Sequence, residues 1–305
     1  AIAMGVKSLA KRAWRRPLTE REDKELDALI KEKLKGSQSK IYVLRDLLMA
    51  VFADTRFLFY SDVERTQSMQ NHELVGRLAA FLWRSAPDKR LFDLADRANA
   101  ITDTELSAEV RRMLADSRAE RFIADFAYSW TDLPKLDQIA INPNYYRWWN
   151  PKYKDYMRQE PVAFMKTLLR EDLSCLNLLS SEFMVINDVM AKYYGVALPE
   201  SGHRFSRVPA SEGRGGILTQ AAFLLGHSDG EDAHAVNRGV WLRGRLLGDP
   251  PRDPPPEVPA LSDLDETDPN FAGLSTKERL SIHRKGICLD CHADIDPWGI
   301  AMESL

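Results

Sequence analysis

The stretch "PLTEREDKELDALIKEKLKG", residues 17–36, decides the class of fold because it carries a complete set of helix signals. Its apolar residues recur at helical spacing. Thr19 and Glu22 have the spacing of a capping box, in which each side chain bonds to an unpaired amide of the first turn. Gly36 stands where such a helix would end. The segment therefore predicts one well-defined α-helix.

The same helical spacing continues through most of the chain before residue 200. A second capping box, Thr102 with Glu105, opens another helix, and Gly195 stands at the end of a later one. No segment alternates strictly between polar and apolar residues over several positions, so few strands are expected. We therefore predict a mainly α fold: a multi-helix body, a proline-rich strap and a separate C-terminal segment.

The predicted domains follow changes in composition along the chain. They are an N-terminal helical domain at 1–66, a central helical domain at 67–200, a Gly- and Pro-rich domain at 201–262, and a C-terminal segment at 263–305 that begins a longer domain. The third domain is expected to hold two short helices separated by a polar loop. Its run "DPPRDPPPEVP" is typical of extended polyproline II, which makes a semi-rigid strap.

Length and charge narrow the function classes. A chain of 305 residues can bury a substantial core, and its net charge of −3 gives no general attraction to nucleic acid or to anionic lipid. No stretch approaches the roughly 18 apolar residues of a membrane span. The opening "AIAMGVKSLAKRAWRR" has no initiator Met and no secretory signal, so we expect that a signal was removed or that the chain is a piece of a longer protein.

The main chemical signal is Cys288-Leu289-Asp290-Cys291-His292, the C-x-x-C-H pattern of c-type haem attachment. Two cysteines three residues apart on one helical turn can bond to both vinyl groups of a porphyrin, while the adjacent imidazole binds the iron. The pattern predicts one covalent haem c with His292 as proximal ligand. Trp298 is a candidate to pack on the porphyrin, and ordinary core packing is the alternative.

Three other interpretations of the motif stay open. A structural zinc site would need further ligands, which His283, His227 or His234 could supply. A thioredoxin-type dithiol needs a strand before it and a helix after it, whereas this sequence favours a helix before and a turn after. A chance occurrence would leave the thiols without metal or in a disulfide.

A haem with a protein ligand on its distal face is suited to electron transfer, whereas a haem with an open distal face can react with a small molecule. Candidate distal ligands are His283, His227, His234 and Met302, beside an open site or a ligand from outside the chain. Met302 could reach the iron only if "DIDPWGIAMES" folds as a loop over the ring. Asp294 and Asp296 could act on the haem propionates or on the hydrogen bond of His292, since a metal-bound histidine normally donates its second N–H to an acceptor.

Two further segments have weaker chemical signals. The aromatic run "NYYRWWNPKY", residues 144–153, could be a stacking platform for sugars or bases, but we expect its rings mostly to cap the core. The loop "HSDGEDAH", residues 227–234, has three acidic residues that could bind calcium. It lacks the spacing of an EF-hand, so a solvated loop is expected.

The sequence resembles the large multi-domain cytochromes of Planctomycetes and related bacteria, in which consecutive domains of unknown function occur with C-x-x-C-H segments. The resemblance is carried by "HELVGRLAAFLWRSAPDKRLFDLA", "RGGILTQAAFLLGHSDGEDAHAVNRGVWLRGRLLGDPPRDPPPEVPAL" and "ERLSIHRKGICLDCHADIDPWGIAMESL". It implies an exported, periplasmic or otherwise extracytoplasmic redox protein, with a redox partner protein or further haem domains, and no particular substrate.

The expected function is one-electron transfer by a mono-haem c-type module, as a subunit of a larger redox protein or complex. One alternative is a haem enzyme with an open distal face, of peroxidase or oxidase type. The other is a non-catalytic structural or binding module in which the motif holds zinc or nothing.

Overall fold

The computed structural model describes residues 2–36, 39–59, 66–252, 274–275, 277–278, 280 and 287–303, and over this part the chain is mainly α, as predicted. Most of the predicted proline strap and His283 lie outside the described residues. None of the described helices is both long enough and apolar enough to cross a membrane. The chain divides into two compact units, Ala1–Phe122 and Ile123–Leu305.

The helices account for most of the described chain. The α-helices are α1 (Ile2–Ala13), α2 (Glu20–Lys35), α3 (Lys40–Ala53), α4 (Thr55–Leu58), α5 (Gln67–Trp83), α6 (Lys89–Ala95), α7 (Asp103–Ala115), α8 (Ala119–Trp130), α9 (Lys135–Gln138), α10 (Tyr153–Arg170), α11 (Asp188–Tyr194), α12 (Ala221–Gly226), α13 (Ala235–Trp241) and α14 (Ile287–Ile300). Short 3-10 turns cover Cys175–Leu178 and Ile217–Thr219, and a π-helical turn, Leu242–Leu247, follows α13 directly.

The predicted helix ends are confirmed. Thr19 and Glu22 form the capping box of α2, and α2 ends before Gly36. Thr102 and Glu105 form the same box at the start of α7. Gly195 closes α11 in the left-handed conformation, with φ of 67°, which glycine adopts without the steric cost of a Cβ atom.

The first unit contains two clusters of buried apolar side chains. One cluster joins α1, α2 and α3, and the other joins α5, α6, α7 and the start of α8. The fully buried members of the second cluster include Trp83, Leu91 and Met113. Trp83 also donates its indole N–H to the Met113 carbonyl at 3.0 Å, so its one polar atom is satisfied inside the core.

The second unit combines helices with a small antiparallel sheet. Strand β1 (Phe183–Ile186) pairs with β2 (Ser206–Pro209), and Phe183 lies opposite Pro209. All four residues of β1 are buried, because the strand packs on α10 and contributes to two core clusters. The sheet lies within a helical unit and agrees with the expectation of few strands.

A buried carboxyl group connects three helices of this unit. Glu160 on α10 is buried and accepts a hydrogen bond from the Tyr194 hydroxyl at 2.7 Å. The same hydroxyl accepts the backbone N–H of Ala221 at 2.7 Å. Burial raises the pKa of Glu160 from 4.5 to about 8, although the Tyr194 hydrogen bond and the charge of Arg214 act in the opposite direction. Glu160 is therefore protonated in the folded protein at neutral pH.

Glu160→Gln should flatten the pH dependence of stability. In the unfolded chain Glu160 loses its proton above about pH 4.5, whereas in the folded chain it keeps the proton up to about pH 8. The free energy of unfolding should therefore fall as pH rises through this window, by about 1.4 kcal/mol per pH unit at most. Urea unfolding at several pH values measures the slope for both proteins.

The matched control is Glu182→Gln, which removes an exposed carboxylate next to β1. This variant should keep the native slope. A Glu160→Gln protein with the same slope as the native chain would show that Glu160 does not hold the proton.

Candidate functional site

Helix α14 carries the C-x-x-C-H motif in its first half and continues to Ile300. The expectation of a turn after the motif was wrong, because "ADIDPWGI" continues the helix through Pro297. The loop over the ring on which a ligand role for Met302 depended is therefore not formed. Tertiary contacts explain the difference: the buried residues Ile295 and Gly299 pack against α13, and this packing outweighs the local turn preference.

Two glycines allow α13 and α14 to cross at very short range. A Cβ atom on Gly299 would overlap the backbone carbonyl of Ala235, and one on Gly239 would overlap that of Ile295. Each glycine thus lies against the backbone of the opposite helix. Any larger residue at either position would push the helices apart.

Arg238 holds the chain directly after α14. Its guanidinium is buried and donates to the carbonyl oxygens of Met302 at 2.9 Å and Leu224 at 3.4 Å. Glu303 lies 3.4 Å from the same group. Burial lowers the pKa of Arg238, and the charge of Glu303 opposes this shift. A buried guanidinium with carbonyl acceptors from two segments fixes both segments in place.

His292 is oriented by a buried carboxylate one turn further along α14. Its Nδ1 lies 2.8 Å from Oδ1 of Asp296. Asp296 is fully buried, and the His292 side chain is 15% exposed. Because an ionised carboxylate only accepts hydrogen bonds, this contact favours the imidazole tautomer with its proton on Nδ1. Of the two candidate acceptors, the structure selects Asp296. Asp294 faces Arg243 at 3.7 Å instead.

The other motif residues occupy positions that fit haem attachment. Cys291 is half-buried and forms no disulfide, and Cys288 lies one turn earlier on the same helix, with its side chain outside the described part. Trp298 is 43% exposed, so it is not a core residue in this structure. A half-buried thiol, an oriented imidazole and an exposed indole therefore lie on one helix, and residues of these types are compatible with a c-type haem.

Two of the candidate distal ligands, Met302 and His227, are buried in the core. Met302 is buried in a core cluster with Phe223, Leu224, Trp241 and Leu242. His227 is also buried: Nδ1 lies 2.8 Å from the Phe223 carbonyl, and its ring is 4.6 Å from the Phe223 ring. Burial lowers the pKa of His227 to about 4, so the imidazole is neutral.

His234 belongs to the exposed acidic loop rather than to a ligand cluster. Its Nε2 lies 3.6 Å from the carboxylate of Asp229. Asp229 itself accepts the backbone N–H groups of Glu231 and Asp232 at 2.8 and 2.7 Å, which stabilises the loop from within. Among the described side chains, no group of three or more His, Cys, Asp or Glu residues could hold a metal ion.

The aromatic run has two parts. Trp149 and Tyr153 pack against a core cluster, as expected for the segment. Tyr145 and Trp148 are exposed, which the sequence-based expectation did not anticipate. Arg238 was not among the predicted site residues, and its signal in the sequence is an arginine beside a glycine on a mostly apolar short helix.

Comparisons with known proteins identify two consecutive domains in the chain. Residues 69–196 match the model of a family described as PSD4, protein of unknown function (DUF1592). Residues 214–305 match one described as PSCyt3, protein of unknown function (DUF1588). Both matched families are of unknown function, in agreement with the coarser part of the resemblance. No curated protein and no solved structure matches it.

Gly299→Ala should destabilise the second unit, because the added methyl group meets the Ala235 backbone. We expect a loss of about 1–3 kcal/mol in the free energy of unfolding, the usual cost of overpacking. Hydrogen exchange of α14 should become faster as well. Gly244→Ala is the control, since its Cβ would make only ordinary contact with Pro250. Equal stability of the two variants would contradict a close crossing of α13 and α14.

Proposed function

We propose that this chain, which carries the DUF1592 and DUF1588 domains, is a mono-haem c-type cytochrome module that transfers single electrons. Cys288 and Cys291 would attach the haem, and His292 would bind its iron. The observation that carries the proposal is the bond between His292 and the buried carboxylate of Asp296, on the helix that holds the attachment motif. Bound haem would supply reversible one-electron exchange at iron.

The helix supports attachment through its geometry. An α-helix has 3.6 residues per turn, so residues 288, 291 and 292 lie on neighbouring positions of one turn. Both cysteines and the histidine can then approach one planar group from the same side.

Asp296 supports a ligand role for His292 because metal-bound histidines usually donate their second N–H to an acceptor. The carboxylate fixes the ring orientation and the tautomer before any metal binds. A carboxylate acceptor also makes the imidazole a stronger electron donor, which favours ferric iron and lowers the reduction potential. The docking of α14 by Gly239, Gly299 and Arg238 holds this pair against the helical unit.

The wider context belongs to the same proposal. We infer an exported protein, outside the cytoplasm, that exchanges electrons with a redox partner protein or with further haem domains in a larger complex. This inference rests on the resemblance to the multi-domain cytochromes. A closed distal face of the iron would favour the electron carrier, and an open distal face would favour the alternative, a haem enzyme.

The function is tested on the chain produced together with a c-type haem attachment system. After acid extraction of non-covalent haem, the native chain and the Cys175→Ala control should still show a pyridine haemochrome spectrum. Cys175 is a suitable control because it lies in an exposed 3-10 turn. Cys291→Ala should lose at least one thioether and change the spectrum. For an electron carrier, carbon monoxide should leave the reduced spectrum unchanged on mixing, because a distal ligand from His283 or from outside the chain would then close the iron.

Two results would count against the proposal. A native chain without extraction-resistant haem would remove the cytochrome function. An immediate shift of the reduced spectrum with carbon monoxide would show an open iron and support the enzyme instead of the carrier.

Asp296→Asn should raise the reduction potential of the haem-loaded chain while the haem stays attached. The amide is a weaker acceptor than the carboxylate, so the imidazole donates less charge to the iron, and we expect a rise on the order of tens of millivolts. Asp294→Asn is the control, because Asp294 is largely exposed and faces Arg243. Potentiometric titration measures both. An equal potential in both variants would mean that Asp296 does not act on a metal-bound His292.

A further inference from the structure

The second unit contains a pocket that the proposed haem function does not use. It has a volume of about 230 Å³ and lies where the aromatic run, α11 and the acidic loop meet. Its lining includes the aromatic side chains Tyr146, Trp148, Trp149 and Tyr193. Four charged residues complete the polar lining: Arg214, Arg238, Glu231 and Asp232. We propose that this pocket binds one ring of a neutral oligosaccharide.

The aromatic wall supplies a stacking surface at the mouth. Trp148 is 59% exposed, yet other rings surround it: Tyr146 lies 6.2 Å away at 88°, and Tyr193 lies 5.9 Å away. Trp149 and Tyr153, which follow Trp148 in the chain, pack against a core cluster, so the segment is anchored. A large aromatic ring is normally buried, and an anchored indole that stays more than half exposed is suited to a ligand with an apolar face. The C–H face of a pyranose ring is such a surface.

The charges of the lining favour a neutral ligand. Two guanidinium groups and two carboxylates have formal charges that cancel, so neither an anion nor a cation is favoured overall. Guanidinium groups only donate hydrogen bonds, and carboxylates only accept them. A sugar hydroxyl both donates and accepts, and several hydroxyls on one ring can use both kinds of partner.

The polar groups are held in place before a ligand arrives. Arg214 donates to the Thr219 carbonyl at 2.8 Å and lies 4.8 Å from the centre of the Tyr194 ring. On the acidic side, Asn142 and the Tyr146 hydroxyl donate to the Glu231 side chain and backbone carbonyl, respectively. Groups that are already ordered lose little entropy on binding, which favours affinity.

The size of the pocket limits the ligand to about one ring. At about 230 Å³ it is smaller than the roughly 300 Å³ at which pockets for drug-sized ligands begin. A chain of sugars would therefore place one residue inside, on Trp148, and the rest outside. Aromatic cages can also bind a quaternary ammonium ligand, so tetramethylammonium is the competing ligand to compare with the sugars.

The test is calorimetric titration of the full chain with cellohexaose, xylohexaose, mannohexaose and maltohexaose. At least one should bind with a dissociation constant of about 1 mM or lower. Trp148→Ala should weaken this binding at least about tenfold, which is about 1.4 kcal/mol. Trp148→Phe, which keeps a smaller ring, should bind with intermediate affinity. Tyr42→Ala is the control, because Tyr42 is an exposed ring on α3 in the first unit.

Three outcomes would overturn the proposal. The first is the absence of heat with all four oligosaccharides at about 10 mM. The second is native affinity in Trp148→Ala with an unchanged circular dichroism spectrum. The third is binding of tetramethylammonium in place of the sugars, which would identify a cation cage. None of these depends on haem, so the result is independent of the proposed redox function.

Discussion

The close crossing of α13 and α14 is the constraint on which the candidate haem site depends. Because Gly239 and Gly299 have no side chains, each helix lies directly against the backbone of the other. Arg238 adds a buried guanidinium that binds the carbonyl of Met302, just beyond α14. The crossing buries one side of α14, and with it Asp296, while His292 stays close to the surface. The sequence alone would also allow the C-x-x-C-H motif to lie in an unpacked terminal segment. The structure places it on a helix that packs against α13.

Local signals in the sequence were sufficient to predict the class of fold and several helix ends. Capping boxes and terminal glycines act within a few residues, so Thr19, Thr102 and Gly195 could be interpreted without knowing the tertiary structure. The course of the chain after Cys291 was not predictable in the same way. Pro297 and Gly299 favour a turn locally, but packing on α13 keeps the segment helical. The choice of Asp296 over Asp294 follows from that packing, since both stand close to His292 in sequence.

The aromatic run shows the same limit of sequence analysis. Neighbouring rings separate, with Trp149 against the core and Trp148 at the mouth of a pocket. The segment before α10 has no regular periodicity, so the sequence does not indicate which ring faces inward. The acidic loop and Arg214, which face the same pocket, come from positions about 70 or more residues later in the chain. Only the fold brings them together.

The central claim is that α14 presents Cys288, Cys291 and His292 for covalent attachment of one haem. The intact mass of the chain, after production with a c-type attachment system and removal of non-covalent haem, tests this most directly. The account predicts the polypeptide mass plus that of one haem. A mass equal to that of the polypeptide alone would contradict it, and the hydrogen bond between His292 and the buried Asp296 would then be a structural feature of a helical protein.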